Sequence, residues 1–437
     1  MNNADPHALK RVITTPLLVF FILGDVLGAG VYALAGAIAD RAGGAIWAPL
    51  CLGLVFAMLT AASYAELVSK YPRAGGAAVF AQRAFGSAIL SFLVGFAMLA
   101  AGITSAAGLA LAFGGQYLQV FLDWPVQVLA PLFLVLIAAL NLRGIKESLS
   151  ANLLMTLVEL SGLVLVIVAV ALLCGQGQGE TARLLDFGGH PPATAVLAGA
   201  LLAFYSYVGF ETSANLAEEV RDVRRTYPKA LFLALLIAGL VYMAVGAGVA
   251  LVMPVDQLVA AKAPLMDIVS SSGLGIGANG FALIALVAVA NGALLTMIMA
   301  SRLTLGMARE GLLPSALGRV LPNRRTPALA IIATTAAAAL LTFTGTLEVL
   351  AETVVLLLLL VFLSTNVAVL VLKKERVEAE HFRIHPLVPS FAIVSCLILL
   401  AQQPAGNWLR ACALLAVGGL LYALARRYAA KTVPAQG

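Results

Sequence analysis

Gly24-Asp25-Val26-Leu27-Gly28-Ala29-Gly30 lies inside the first long apolar run of the chain, 16–39. Glycine loosens a helix, and a carboxylate in hydrocarbon is costly unless it faces a protected polar interior. Three glycines and an aspartate therefore predict a helix broken at membrane depth. Broken backbone is tolerated there only where it is buried in protein or lines a wet cavity. A second interruption, five helices later, is Phe204-Tyr205-Ser206-Tyr207-Val208-Gly209-Phe210-Glu211-Thr212-Ser213-Ala214-Asn215. Hydroxyls, a glycine and a carboxylate break that apolar run too. Interrupted helices in corresponding positions of two five-helix halves point to inverted repeats and a binding site near the bilayer midplane. The letters of the two halves do not match, so the repeat is inferred from layout.

Composition frames this reading. The chain has 437 residues, 62% hydrophobic and 11% charged, with mean hydropathy +1.00. Soluble chains are about half apolar and a quarter charged. The sequence therefore predicts an all-α polytopic membrane protein, one membrane domain over 1–437. About twelve helices near the ~20 apolar residues a bilayer needs are expected at 16–40, 43–69, 84–113, 126–142, 150–174, 193–219, 228–253, 277–306, 327–345, 347–371, 387–402 and 407–427. The first five (16–174) and the next five (193–371) form the two repeats, and 387–427 adds two helices.

Charge sets the orientation. With the N-terminus inside, 23 of the 27 Lys and Arg fall on the inner side, leaving Arg41, Arg183, Lys262 and Arg410 outside. That bias predicts cytoplasmic termini and a multi-pass cell-membrane protein. The net charge of +6 then reflects orientation, and no nucleic-acid partner is expected. Cys51, Cys174, Cys396 and Cys412 sit in or beside apolar runs without metal-ligand or disulfide spacing, and read as small buried packing residues. His7, His190, His381 and His385 fall in tails or loops, so neither a histidine relay nor a metal site is expected. Gly28-x-Gly30 follows no strand, which excludes a nucleotide fingerprint. The intramembrane polar residues form no nucleophile–base pair, so the chain reads as a non-enzyme without a cofactor.

At these residues the chain resembles the amino acid–polyamine–organocation superfamily of permeases. Gly28-Ala29-Gly30-Val31-Tyr32 with Leu34-Ala35-Gly36 is similar to the first helix of cationic amino acid transporters and their bacterial relatives. Ser63-Tyr64-Ala65-Glu66-Leu67, followed by Pro72-Arg73-Ala74-Gly75-Gly76, resembles the family's second helix and first cytoplasmic loop. The second interruption with Glu218-Glu219-Val220-Arg221 is similar to its sixth helix, and Met307-Ala308-Arg309-Glu310-Gly311-Leu312-Leu313-Pro314 to the end of its eighth. The resemblance implies a LeuT-type fold with a five-plus-five inverted repeat, broken helices 1 and 6, and alternating-access transport of an amino acid or related amine.

The two breaks suit a zwitterion. Where helix 1 restarts, near Gly28, Ala29, Gly30 and Val31, backbone N–H groups lack intrahelical partners and favour a carboxylate. Where the first half of helix 6 stops, near Tyr205, Ser206, Tyr207 and Val208, free carbonyls favour an ammonium. The resemblance makes Tyr205 the gate over the substrate. Ala100-Ala101-Gly102, Thr104 and Ser105 on helix 3, and Asn291, Gly292 and Met297 on helix 8, are candidates for the side-chain pocket. Glu66 reads as a structural partner of a basic residue at the inner end of helix 2. Glu159, Asp25 and Glu211 are the proton-coupling candidates. The resemblance places Glu159 where related permeases carry a lysine, and sodium coupling stays open as the alternative to a proton. Small neutral amino acids fit the lining; a cationic amino acid or polyamine would use Asp25 or Glu211 as counter-charge. A transporter-like sensor is the remaining alternative, and a monomer or homodimer is expected.

Overall fold

A computed structural model describes residues 11, 13–28, 30–73, 75–143, 148–321 and 326–432. Among them the chain forms sixteen α-helices joined by short 3-10 and π turns, with one isolated parallel β-bridge between Ile13 and Val220. Helix α1 (Thr15–Leu27) begins with Pro16, whose missing N–H is harmless in a first turn. After Gly28 the chain resumes as α2 (Gly30–Ala42), bent by 41° from α1. Then come α3 (Trp47–Lys70), α4 (Gly76–Phe85), α5 (Ala88–Ala112), α6 (Val126–Arg143) and α7 (Ser148–Gly175).

The next stretch comprises α8 (Pro192–Tyr205), a 3-10 segment Phe210–Glu219, and α9 (Val223–Val252). It continues through α10 (Val255–Ala260), α11 (Pro264–Ser271), α12 (Ala278–Arg309), α13 (Ala328–Leu341) and α14 (Leu347–Leu372). Helices α15 (Leu387–Ala401) and α16 (Ala405–Thr432) close the chain.

All twelve expected apolar segments are helical over most of their length. Among the described residues nine helices are long and apolar enough to cross a membrane, ten if the bent α1–α2 pair counts as one span. Helices α13 and α15 are shorter, 14 and 15 residues. The third expected helix, 84–113, begins later than predicted. Its first turn belongs to α4, which stops at left-handed Gly86, and the Ser87 hydroxyl then caps α5 by accepting from Leu90 N. Helices α4, α10 and α11 were not anticipated, being too short or too polar to stand out as spans. Helix α5 also runs on through a π turn (Phe113–Tyr117), whose Tyr117 hydroxyl and Gln116 amide donate to the α2 carbonyls of Tyr32 and Ala33.

The core is one continuous apolar cluster. Helix α1 packs on α7, α9 and α12; α3 on α8, α9 and α15; α5 on α12 and α14. The cysteines depart from the packing reading: Cys396 is buried, Cys51 and Cys174 are partly exposed, and Cys412 on α16 is exposed. Arg41 of α2 pairs with buried Glu352 of α14 at 3.0 Å, and Asn407 of α16 donates to the same carboxylate at 2.8 Å.

At the opposite, cation-rich end, Glu66 of α3 accepts from Lys373 Nζ at 2.8 Å and from Ile384 N at 2.9 Å. Ser69 Oγ accepts from Phe382 N at 3.1 Å, and Lys70 donates to the carbonyls of Leu372 and Glu375. These bonds pin the extended connection 373–386 to the end of α3. Nearby, Arg83 and Tyr71 both donate to Glu375 and hold its carboxyl down at about 2. Glu66→Ala removes the acceptor for both Lys373 and Ile384 N. It is expected to lower stability by about 3 kcal/mol, the scale for breaking a buried pair. The reading is the unfolding midpoint in detergent micelles, and an unchanged midpoint would contradict the role.

Candidate functional site

Both helix breaks open onto one cavity, of about 70 Å³. Its wall at the first break is Asp25, Val26, Gly28 and Gly30; at the second it is Tyr205, Val208, Gly209, Glu211, Thr212 and Asn215. Helix α5 contributes Met98, Ala101, Gly102, Ser105 and Leu109, and α12 contributes Gly292, Thr296, Met299, Ala300 and Leu303. Val354 and Leu358 of α14 complete the wall. Among these lining residues there are two carboxylates and no cation.

Each break is held by partners for the backbone groups it frees. In an unbroken helix the Val26 carbonyl would accept from residue 30. Here it accepts from Tyr242 Oη of α9 at 2.7 Å. Helix α8 ends at Tyr205, and Gly209 takes φ +123°, a region L side chains avoid. Gly209 N donates to Glu211 Oε2 at 2.9 Å. The following 3-10 segment is ten residues long, well beyond the usual few. Local bonds support it: the Thr212 backbone N–H donates to the Gly209 carbonyl at 3.1 Å, and Asn215 donates to the Thr212 carbonyl at 3.1 Å. Thr212 Oγ1 also donates to Asp25 Oδ2, tying the second break to the first.

Glycines set the distance between the breaks. A Cβ on Gly28 would lie 3.0 Å from Gly292 Cα, and one on Gly30 would run into the Ser206 backbone. A Cβ on Gly209 would lie 2.9 Å from the Asp25 carbonyl oxygen. The same glycines therefore serve close packing and line the cavity. Tyr205 Oη stands 3.2 Å from Ser105 Oγ, across the cavity between α8 and α5.

Of the sequence candidates, Gly28, Gly30, Tyr205, Val208, Asp25 and Glu211 meet at this cavity. Val31, Ser206, Tyr207 and Asn291 do not line it. Tyr207 instead donates to the Leu50 carbonyl at 2.9 Å, and Ser206 packs against Gly30. Ala29 lies outside the described residues. On α5, Ala101, Gly102 and Ser105 line the wall while Ala100 and Thr104 do not; on α12 Gly292 does and Met297 does not.

Asn291 belongs to a second polar group, between α1, α7 and α12. Asn291 Nδ2 reaches Thr156 Oγ1 at 3.4 Å, and Thr156 reaches Asn152 Oδ1 at 3.4 Å. Beside them sits Glu159, fully buried, its two carboxylate oxygens without a partner in hydrogen-bonding geometry among the described residues. Among the described residues Asn291 Oδ1 is likewise buried and unpartnered.

The missed wall positions carried a signal of period 3.6. Met98, Ala101, Gly102, Ser105 and Leu109 form one helical face, as do Gly292, Thr296, Met299, Ala300 and Leu303. Extending from Gly102 and Gly292 would have found them. Val354 and Leu358 sit in an unbroken Leu/Val run that marks no face.

Comparison with known proteins comes from several directions. Residues 13–407 match the family profile described as amino acid permease. The chain is 32% identical over 393 residues to the vacuolar cationic amino acid transporter 4 of Arabidopsis thaliana, covering 85% of this chain and 65% of that one, so it spans about two thirds of the plant protein. It is 31% identical over 428 residues to an uncharacterized transporter of Mycobacterium tuberculosis, covering 96% and 92%. It is 26% identical over 444 residues to the branched-chain amino acid permease BcaP of Bacillus subtilis, covering 96% and 94%.

Gly209→Ala places a Cβ against Asp25 in a left-handed backbone. Strain of this kind costs about 1–3 kcal/mol, and the variant is expected to melt lower by that measure. Gly306→Ala, where nothing lies within 4 Å, serves as the neutral control. Equal melting of both variants would remove the constraint claimed for Gly209.

Proposed function

The chain belongs to the amino acid permease family, and on that premise we propose that it is a secondary active transporter of an α-amino acid, working by alternating access and coupled to protons. The observation that carries this reading is the opening of both helix breaks onto one cavity. The first turn of α2 offers N–H groups for a carboxylate, with Gly28 and Gly30 leaving the backbone reachable. The last carbonyls of α8 already accept from Ser206, Tyr207 and Val208 N, and each keeps a second lone pair for an ammonium. Tyr205, bonded to Ser105 across the cavity, is the gate, closing over substrate with an apolar face and a polar tip. The five-plus-five inverted repeat, 16–174 against 193–371, supplies the two symmetry-related conformations. The proposed setting is a cell membrane with both termini cytoplasmic.

Glu159 is the proposed proton carrier. Its carboxylate is buried beside Asn291 and meets no partner in hydrogen-bonding geometry among the described residues. In its protonated form it is a donor for the open Asn291 Oδ1. In its charged form it needs a change of surroundings, which a second access state provides. Asp25 and Glu211 line the cavity and act on substrate. A sodium ion in the Glu159 group is the competing version of the coupling.

A second reading is supported by one observation, two carboxylates and no cation among the lining residues. It makes the substrate a cationic amino acid or polyamine, with Asp25 or Glu211 as counter-charge.

Reconstituted proteoliposomes test these assignments with a panel of labelled amino acids and amines under imposed pH and sodium gradients. An α-amino acid should be accumulated, and its methyl ester and N-acetyl forms should compete weakly. Equal competition by the blocked forms would mean that the breaks do not read the zwitterion. Preferential uptake of an amine without a carboxylate selects the second reading.

The coupling assignment has its own variants. Glu159→Gln is expected to abolish accumulation driven by a pH gradient while keeping substrate exchange across the membrane. Asp25→Asn is expected to weaken binding at least tenfold. Wild-type accumulation by Glu159→Gln under a pH gradient would overturn the role of Glu159.

A further inference from the structure

The cation-rich end carries a groove that the transport reading leaves unused. It lies between the start of α9 and the connection 373–386, bordered by Arg224, Arg225, Lys229, Phe232, His381 and Phe382, with Asp222 and Glu380 at its edge. The groove is a built feature. Glu66, Ser69 and Lys70 pin the connection through Lys373, Ile384 N, Phe382 N and two carbonyls. The Phe382 ring then meets Phe232 of α9 at 5.8 Å between centroids.

Two of its cations are uncommitted. Arg224 donates to the Ser69 carbonyl at 3.3 Å. Arg225 and Lys229 are exposed and make no ion pair or side-chain hydrogen bond among the described residues. Burial pushes the His381 imidazole below its ordinary value, so it is neutral at pH 7. Three cations against two carboxylates leave one net positive charge, the complement of a phosphodiester.

The apolar half of a ligand site continues from the charges. Arg225 and Lys229 share a stripe of α9 with Leu233, Leu236 and Leu240, all exposed. From Lys229 to Leu240 the stripe runs about 16 Å at 1.5 Å per residue, close to the ~15 Å depth of one leaflet's hydrocarbon. A head group at Arg225 and Lys229 thus places an acyl chain along the leucines. A soluble anion would use only the charged end.

We propose that this groove is a binding site for an anionic phospholipid, its phosphodiester held by Arg225 and Lys229 and an acyl chain laid on Leu233, Leu236 and Leu240. Native mass spectrometry of the purified full-length protein in detergent reads it, with phosphatidylglycerol, phosphatidylcholine and glycerol phosphate as separate probes. Wild type should retain phosphatidylglycerol at least fivefold more than phosphatidylcholine, and glycerol phosphate should not compete at equal concentration. Arg225→Gln with Lys229→Gln should erase the preference. Arg225→Lys with Lys229→Arg should keep it, which separates charge from folding. Lys374→Gln with Arg376→Gln, on the same end but outside the groove, should leave it unchanged. Absence of a preference in wild type, or its equal loss in the Lys374/Arg376 variant, would overturn the site. Full competition by glycerol phosphate would reduce it to a phosphate site and overturn the lipid assignment.

Discussion

Backbone groups freed inside hydrocarbon have no water to turn to, and the architecture is arranged around that constraint. The Val26 carbonyl, at the end of α1, is held by Tyr242 from α9. Gly209 N finds Glu211, and the Gly209 carbonyl finds Thr212 N. Because Thr212 also donates to Asp25, the repair of one break is bonded to the other. These partners come from separate elements, so the breaks fix the mutual positions of α1, α9 and the 3-10 segment. The bonds also keep the polar groups of both breaks aimed at one cavity.

Close approach is the second consequence. The two breaks can share one cavity only if backbone meets backbone, and Gly28, Gly30 and Gly209 are the positions where a Cβ would prevent it. Close packing and cavity lining are therefore one demand on the same residues. A glycine that only allowed helices to touch would have no reason to face a cavity, and Gly28 and Gly30 face one.

Much of this was legible in the sequence, for physical reasons that also mark its limits. Glycine, hydroxyl and carboxylate residues inside apolar runs are conspicuous, so both breaks and the elements carrying them could be read. The identity of wall residues was not, because a helix in hydrocarbon is apolar on every side and its inward face must be found from an anchor. Tyr207 illustrates this. It sits between Tyr205 and Gly209 in the broken stretch, yet points to the Leu50 carbonyl. Short helices α4, α10 and α11 escaped because hydropathy finds spans, and they are not spans. The pairing of Glu66 with a base was foreseeable from its place at a helix end. Its partner Lys373, 307 positions away, was not.

The opening motif also explains why two polar groups lie so near each other without merging. Gly24 and Asp25 are neighbours on α1, and successive helical residues point about 100° apart. Asp25 faces the cavity. Gly24 faces α7, where a Cβ would lie 2.7 Å from Asn152 Oδ1 and 3.1 Å from Asn291 Nδ2. Glycine at this position makes room for the Asn152, Thr156 and Asn291 group beside Glu159, and aspartate at the next reaches the cavity. Helix α1 is thus a partition one helix thick, with a carboxylate on each side of it. In the proposed mechanism, a tilt of α1 would alter the surroundings of both carboxylates in a single motion, which is what the coupling assigned to Glu159 requires.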